Sequence, residues 1–177
     1  MSKPLLKPIL FVSIMLYILV AGVMWGTWLS LGRTMTEYDA ATFLADGKHM
    51  IANLATVMAV LMIAAVVVGL AAVVLLFRAR CTTAGWLSLV GLLLMIAVLV
   101  ITLAVEVPID NLINTWTEAT LPPDWIEIRA RWAAFHTLRT FVSLGAVTAA
   151  VVAALTVRAP AGTGLGRRSS RLSHSSG

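Results

Sequence analysis

The stretch WAAFHTLRTFVSLGAVTAAVVAALTV, residues 132–157, decides the fold. It is apolar almost throughout, and it exceeds the roughly 20 residues a helix needs to cross about 30 Å of hydrocarbon. Three more blocks of that kind lie upstream, at residues 9–32, 50–77 and 85–107. The 177-residue chain is 60% hydrophobic and 12% charged, against about 45–50% and 25% in soluble domains. The expectation is an all-α, four-helix transmembrane bundle. The first block is too long for a signal-peptide core, and WGTWLSLGR after it offers no small-residue cleavage site.

Charge placement sets the expected orientation. Lys3, Lys7, Arg78, Arg80, Arg158, Arg167, Arg168 and Arg171 fall before span 1, between spans 2 and 3, and after span 4. Every acid, from Glu37 to Glu127, lies in or beside the other two loops. The positive-inside rule then puts both termini in the cytoplasm of a multi-pass plasma (inner) membrane protein. The longer outer segment joins spans 3 and 4. Residues 1–157 read as one four-span domain. Residues 158–177, rich in Gly, Ser and Arg, read as a disordered basic cytoplasmic tail, attracted at most to anionic lipid headgroups.

Several classes drop out. No basic stripe is interleaved with aromatics, so nucleic acid is not an expected partner. The lone Cys81 excludes a cysteine-pair thiol oxidoreductase. No His-x3-His or Cys-x2-Cys spacing exists; His49 and His136 supply only two imidazoles, a thin case for haem, and no metal or cofactor is expected. Membrane lipids are the expected surroundings. Gly22 and Gly26 on the first span have the small-residue spacing that lets helices approach in lipid, and a homo-oligomer stays open.

Residues 132–157 also carry polar groups. At 100° per residue, Arg129, Trp132, His136, Arg139, Thr140 and Ser143 share one face of the helix. A polar stripe at membrane depth turns toward the bundle interior, and a central arginine costs about 2.5–3.5 kcal/mol to insert on translocon scales. A partner must offset that cost. Glu106, near the outer end of span 3, is the natural one, with Asp110 a turn on and Pro108 expected to break or kink the helix between them. His49, Asn53 and Thr56 open span 2 at the same outer level. One cavity gathering these groups is the functional expectation. The bland alternative is a buried ion pair that only locks helix packing around a satisfied core histidine. Most of the six tryptophans lie near span ends, where aromatic belts form.

Trp132, His136, Arg139 and Thr140 spell W-x-x-x-H-x-x-R-T; Val107, Pro108 and Asn111 spell V-P-x-x-N, with Trp116 between. This pattern resembles the anthrone oxygenase-like membrane family, of four predicted spans, and its specific part covers Glu106 to Ser143. The resemblance implies O₂-dependent oxidation of a planar aromatic, phenolic or quinone-like molecule without a bound metal or flavin. It implies His136 as base and Arg139 as the charge that holds the oxyanion. It also implies Asn111 as a hydrogen-bond donor to a carbonyl and Trp116 or Trp132 as a stacking surface. Glu106, Thr140, His49 and Asn53 complete the expected substrate site. The chain departs from the family pattern at Asp110, where a second asparagine often stands. Two other readings compete: a non-catalytic protein that binds a lipid or quinone-like ligand or supports a partner complex, and a small transporter with Arg139 and Glu106 as a gated pair. The transporter reading has no inverted repeat behind it.

Overall fold

The computed structural model describes residues 3–32 and 34–157; the tail expected at 158–177 lies outside the described residues. Among them the chain is helical, with no strand. The elements are α1 (Lys3–Thr27), α2 (Ala40–Arg78), α3 (Thr82–Ile101), α4 (Val107–Thr115) and α5 (Trp125–Thr156). Two π-helical turns, Trp28–Gly32 and Thr102–Glu106, extend α1 and join α3 to α4. Four stretches are long and apolar enough to cross a membrane: Leu5–Glu37, Ala40–Arg78, Thr82–Thr115 and Trp125–Thr156.

In the bundle α1 packs on α2, α2 on α3, α3 on α5, and α5 back on α1. Its outer surface is apolar, with Phe11, Val60, Leu103 and Leu155 more than half exposed. Polar water gives no reason to leave such residues out in so broad a band; hydrocarbon does. Inside, three apolar layers stack along the axis. Leu6, Leu10, Ala72, Leu76 and Ala84 fill one end. Tyr17, Met24, Met62, Met95, Val98 and Ala146 fill the middle. Met35, Phe43, Ile109, Ile113, Trp116 and Trp132 fill the other end.

Close approach is set by glycines other than those expected. A Cβ on Gly91 would come 3.1 Å from the Ala146 carbonyl, and one on Gly69 would strike the Tyr17 hydroxyl. Gly22 and Gly26, by contrast, have nothing within 4 Å of where a Cβ would stand. Their small size therefore serves no packing within the described chain.

Three boundaries differ from the expected spans. Helix α2 starts at Ala40, ten residues early, because Asp39 caps it: the Asp39 carboxylate accepts from the Thr42 amide at 2.8 Å. That same bond holds the exposed Asp39 carboxyl below its usual range. The α2–α3 turn is tight, closed by Arg80 at a positive φ of 58°. The third span does not end at 107, and Pro108 does not break it. The Val107 amide bonds back to the Thr102 carbonyl, five residues earlier, and Pro108 sits in the first turn of α4. One extra residue in the π turn gives the proline ring room where an unbroken α-helix would clash. Helix α5 runs unbroken from Trp125 to Thr156, with Asp124 at its N-cap.

Candidate functional site

Arg139 projects from α5 into the bundle and organises the polar layer. Its Nη1 donates to Thr102 Oγ1 at 3.0 Å. Its Nη2 stands 2.9 Å from Glu106 Oε2 and 3.0 Å from His136 Nδ1. Both Glu106 oxygens are sealed and accept no well-aligned hydrogen bond, so the Glu106 contact is charge on charge rather than a directed bond. The π turn makes this cluster possible, because it ends at Glu106 and begins at Thr102. Such π turns often occur at functional sites.

His136 is 2% exposed and stacks on Trp132, with ring centroids 5.0 Å apart and planes 2° from parallel. Trp132 Nε1 donates to Asp110 Oδ1 at 3.0 Å. A continuous polar chain thus runs Asp110, Trp132, His136, Arg139, then Glu106 and Thr102. A guanidinium can only donate. His136 Nδ1 must therefore accept from Arg139, and a neutral imidazole then carries its proton on Nε2. Nε2 itself is buried without a well-formed hydrogen bond. The base role expected of His136 would need a lone pair on Nε2, which this arrangement does not supply.

Beside the chain lies a cavity of about 220 Å³. Asp110, Trp132, His136, Arg139 and Thr102 form its polar edge; Met24, Met50, Met58, Met62, Leu54 and Leu99 supply much of the apolar wall. Ala55, Ala59, Ile63, Leu103 and Val107 also line it, and all five are exposed on the outside of the bundle. The cavity therefore has a side mouth between α2 and the π turn after α3, facing where lipid would be.

The expected site residues fall into three groups. His136, Arg139 and Trp132 line the cavity, and Glu106 stands directly behind Arg139 at 1% exposure. Thr140 is fully buried, but its hydroxyl donates to the His136 carbonyl at 2.7 Å and does not line the cavity. His49, Asn53 and Asn111 are exposed and outside the lining. Trp116 is buried among Met35, Phe43 and Ile113, away from the cavity, and its carbonyl accepts from Lys48 Nζ at 2.6 Å. Trp132 offers less stacking surface than expected, since His136 already covers one face.

One contributor, Thr102, was not singled out from the sequence. Thr102 stands one turn before Glu106, a spacing that could have revealed it. Arg129 belongs to the stripe but serves the fold: its Nη1 and Nη2 donate to the Tyr38 and Thr36 carbonyls at 2.6 and 2.7 Å, and its guanidinium lies 4.7 Å over the Trp125 ring. Among the described residues no group of three or more His, Cys, Asp or Glu side chains is placed to hold a metal ion.

An apolar four-helix bundle with a buried arginine–carboxylate pair and a histidine on a side-opening cavity is a membrane-type protein with a buried polar site. The chain belongs to the anthrone oxygenase family, whose model matches residues 48–163, more than half of its length. Comparison with curated proteins and with solved structures finds no match.

Proposed function

We propose that this protein is an integral membrane oxygenase that oxidises a planar aromatic, phenolic or quinone-precursor substrate with O₂, without a metal or flavin. Both termini face the cytoplasm and the cavity opens toward the outer leaflet of the plasma membrane. The single observation that carries the reading is the His136–Arg139 pair at the edge of an otherwise apolar cavity. Family membership supports it.

The chemistry suits such a pocket. An anthrone methylene lies between aromatic rings and is acidic; losing a proton leaves an anion with its charge spread to the ring oxygen. That anion adds to O₂, forming a C–O bond and a peroxide anion, which takes up a proton. Loss of the remaining C–H proton and cleavage of the O–O bond releases water and leaves the quinone carbonyl. One O₂ is consumed and one water formed per CH₂ converted to C=O. The Arg139 guanidinium is the donor for the oxyanion, in a low-dielectric site where preorganised donors count most, and His136 steadies it through Nδ1. The expectation that Asn111 binds the carbonyl is not carried forward, because its side chain is exposed.

Size fits as well. A dry cavity of about 150 Å³ admits benzene, and this one is larger and open at one side. The side mouth supports a substrate drawn from the bilayer. The same apolar wall also favours a second reading, a non-catalytic site for a lipid or quinone-like ligand. Purified protein incubated with anthrone separates the two: quinone formation with matching O₂ loss supports the oxygenase, and saturable binding without turnover supports the ligand site.

A further inference from the structure

We infer that Asp110 is the catalytic base of the cavity, taking the proton from the substrate's acidic C–H or phenolic O–H, while His136 positions the Arg139 guanidinium that faces the resulting anion. The inference rests on the oxygenase reading above.

Three carboxylate or imidazole groups stand near the cavity, and geometry separates them. Glu106 has both oxygens sealed from access, is not part of the lining, and faces Arg139. It can balance charge but cannot touch a ligand. His136 lines the cavity, yet Nδ1 is occupied by the Arg139 donor, which leaves an N–H rather than a lone pair at Nε2, and Nε2 is sealed as the Glu106 oxygens are. Asp110 also lines the cavity. Its Oδ1 is fixed by Trp132 Nε1 at 3.0 Å. Among the described residues none donates to Oδ2, and Oδ2 is not one of the sealed, unpartnered atoms, as the Glu106 oxygens are. Of the three, only Asp110 combines an uncommitted lone pair, a fixed orientation and contact with the space a substrate would fill.

The charge balance agrees. Arg139 and Glu106 cancel, so an ionised Asp110 leaves one net negative charge in the layer. When Oδ2 takes the substrate proton, the O–H bond forms there and the C–H electron pair stays on the substrate. The negative charge passes from Asp110 to the substrate anion without changing the total, and Arg139 stands ready as a donor to it. Trp132 ties the base to the Arg139 donor through His136, since its indole N–H holds Asp110 while its ring supports His136.

Proton abstraction can be watched without O₂. Full-length protein in detergent micelles is incubated anaerobically with anthrone in deuterated water, and loss of the methylene proton signal is followed by NMR. The parent is expected to exchange the methylene well above protein-free micelles. Asp110→Asn, which keeps an acceptor for Trp132, is expected to lower the rate about a hundredfold, within the 10²–10⁴ range of general-base contributions. His136→Gln, which keeps an acceptor for Arg139, is expected to lower it less than tenfold, and Asp110→Glu to restore most of what the Asn variant loses. Anthraquinone quenching of tryptophan fluorescence with an unchanged midpoint shows that the variants still bind. On the folded parent itself, dicyclohexylcarbodiimide is expected to label Asp110 and not Glu106, to abolish exchange, and to be blocked by anthraquinone. If exchange in Asp110→Asn falls less than tenfold, or labelling of Asp110 leaves exchange intact, Asp110 is not the base and the oxygenase reading stands. If the parent neither exchanges the methylene nor consumes O₂, both are overturned.

Discussion

Arg139 Nη2 stands between Glu106 Oε2 at 2.9 Å and His136 Nδ1 at 3.0 Å, joining a counter-ion on one side to a ring at the cavity edge on the other. The first contact neutralises a charge at membrane depth, and the second fixes which nitrogen of His136 bears the proton. One side chain thereby sets both the stability and the chemistry of the layer.

Arg139→Lys should keep the charge but lose the planar fork that reaches Thr102, Glu106 and His136 together. Loss of one preorganised oxyanion donor costs about 10²–10³ in kcat. O₂ uptake with anthrone should fall by about a hundredfold with little change in KM. A variant within threefold of the parent would remove Arg139 from the reaction.

Glu106→Gln should destabilise the bundle, because it leaves a buried guanidinium without its counter-ion. Breaking one side of a buried pair costs about 3–5 kcal/mol. The double variant Glu106→Gln, Arg139→Gln removes both charges and should regain most of that loss. Unfolding in mixed micelles by increasing sodium dodecyl sulfate measures both. Equal stability of parent and single variant would show that the pair is solvated rather than buried.

Ala59 lies at the side mouth and is exposed. Ala59→Trp adds bulk toward lipid rather than into the core, so the unfolding midpoint should hold while oxidation of anthrone supplied in liposomes slows by roughly tenfold. Unimpeded turnover would mean that the substrate enters elsewhere.

His49→Ala, Asn53→Ala and Asn111→Ala each change an exposed side chain outside the cavity lining. Surface substitutions of this kind shift stability by about 0.5 kcal/mol or less, and turnover should stay within twofold. A tenfold loss in any of them would place that residue back in the site.

The four crossings were legible because hydropathy over 20 residues is a strong signal. The Arg139–Glu106 pairing was legible for a different reason: an arginine inside an apolar helix demands a carboxylate at similar depth, and few were on offer. Rotation about the helix axis was harder to read. The outer half of helix α2 carries polar side chains on several faces, Asp46, Lys48, His49 and Asn53 among them, so its sequence does not say which face turns inward; His49 and Asn53 share a face that turns out. The π turn at Thr102–Glu106 leaves no mark in composition, yet it governs which residues beyond it point at the cavity. Asp110, one turn after Glu106, points in, and Asn111, 100° further round, points out. The tautomer of His136 depends on a 3.0 Å contact from Arg139, and residues three apart on a helix can meet in that way or miss.

The most direct test of the account is the stoichiometry of purified, full-length protein with anthrone in micelles, followed by an oxygen electrode and by the absorbance of the quinone. The account predicts one O₂ consumed per anthraquinone formed, well above the protein-free rate, and lost in Arg139→Lys. Oxidation no faster than in empty micelles, with parent and variant alike, would contradict it.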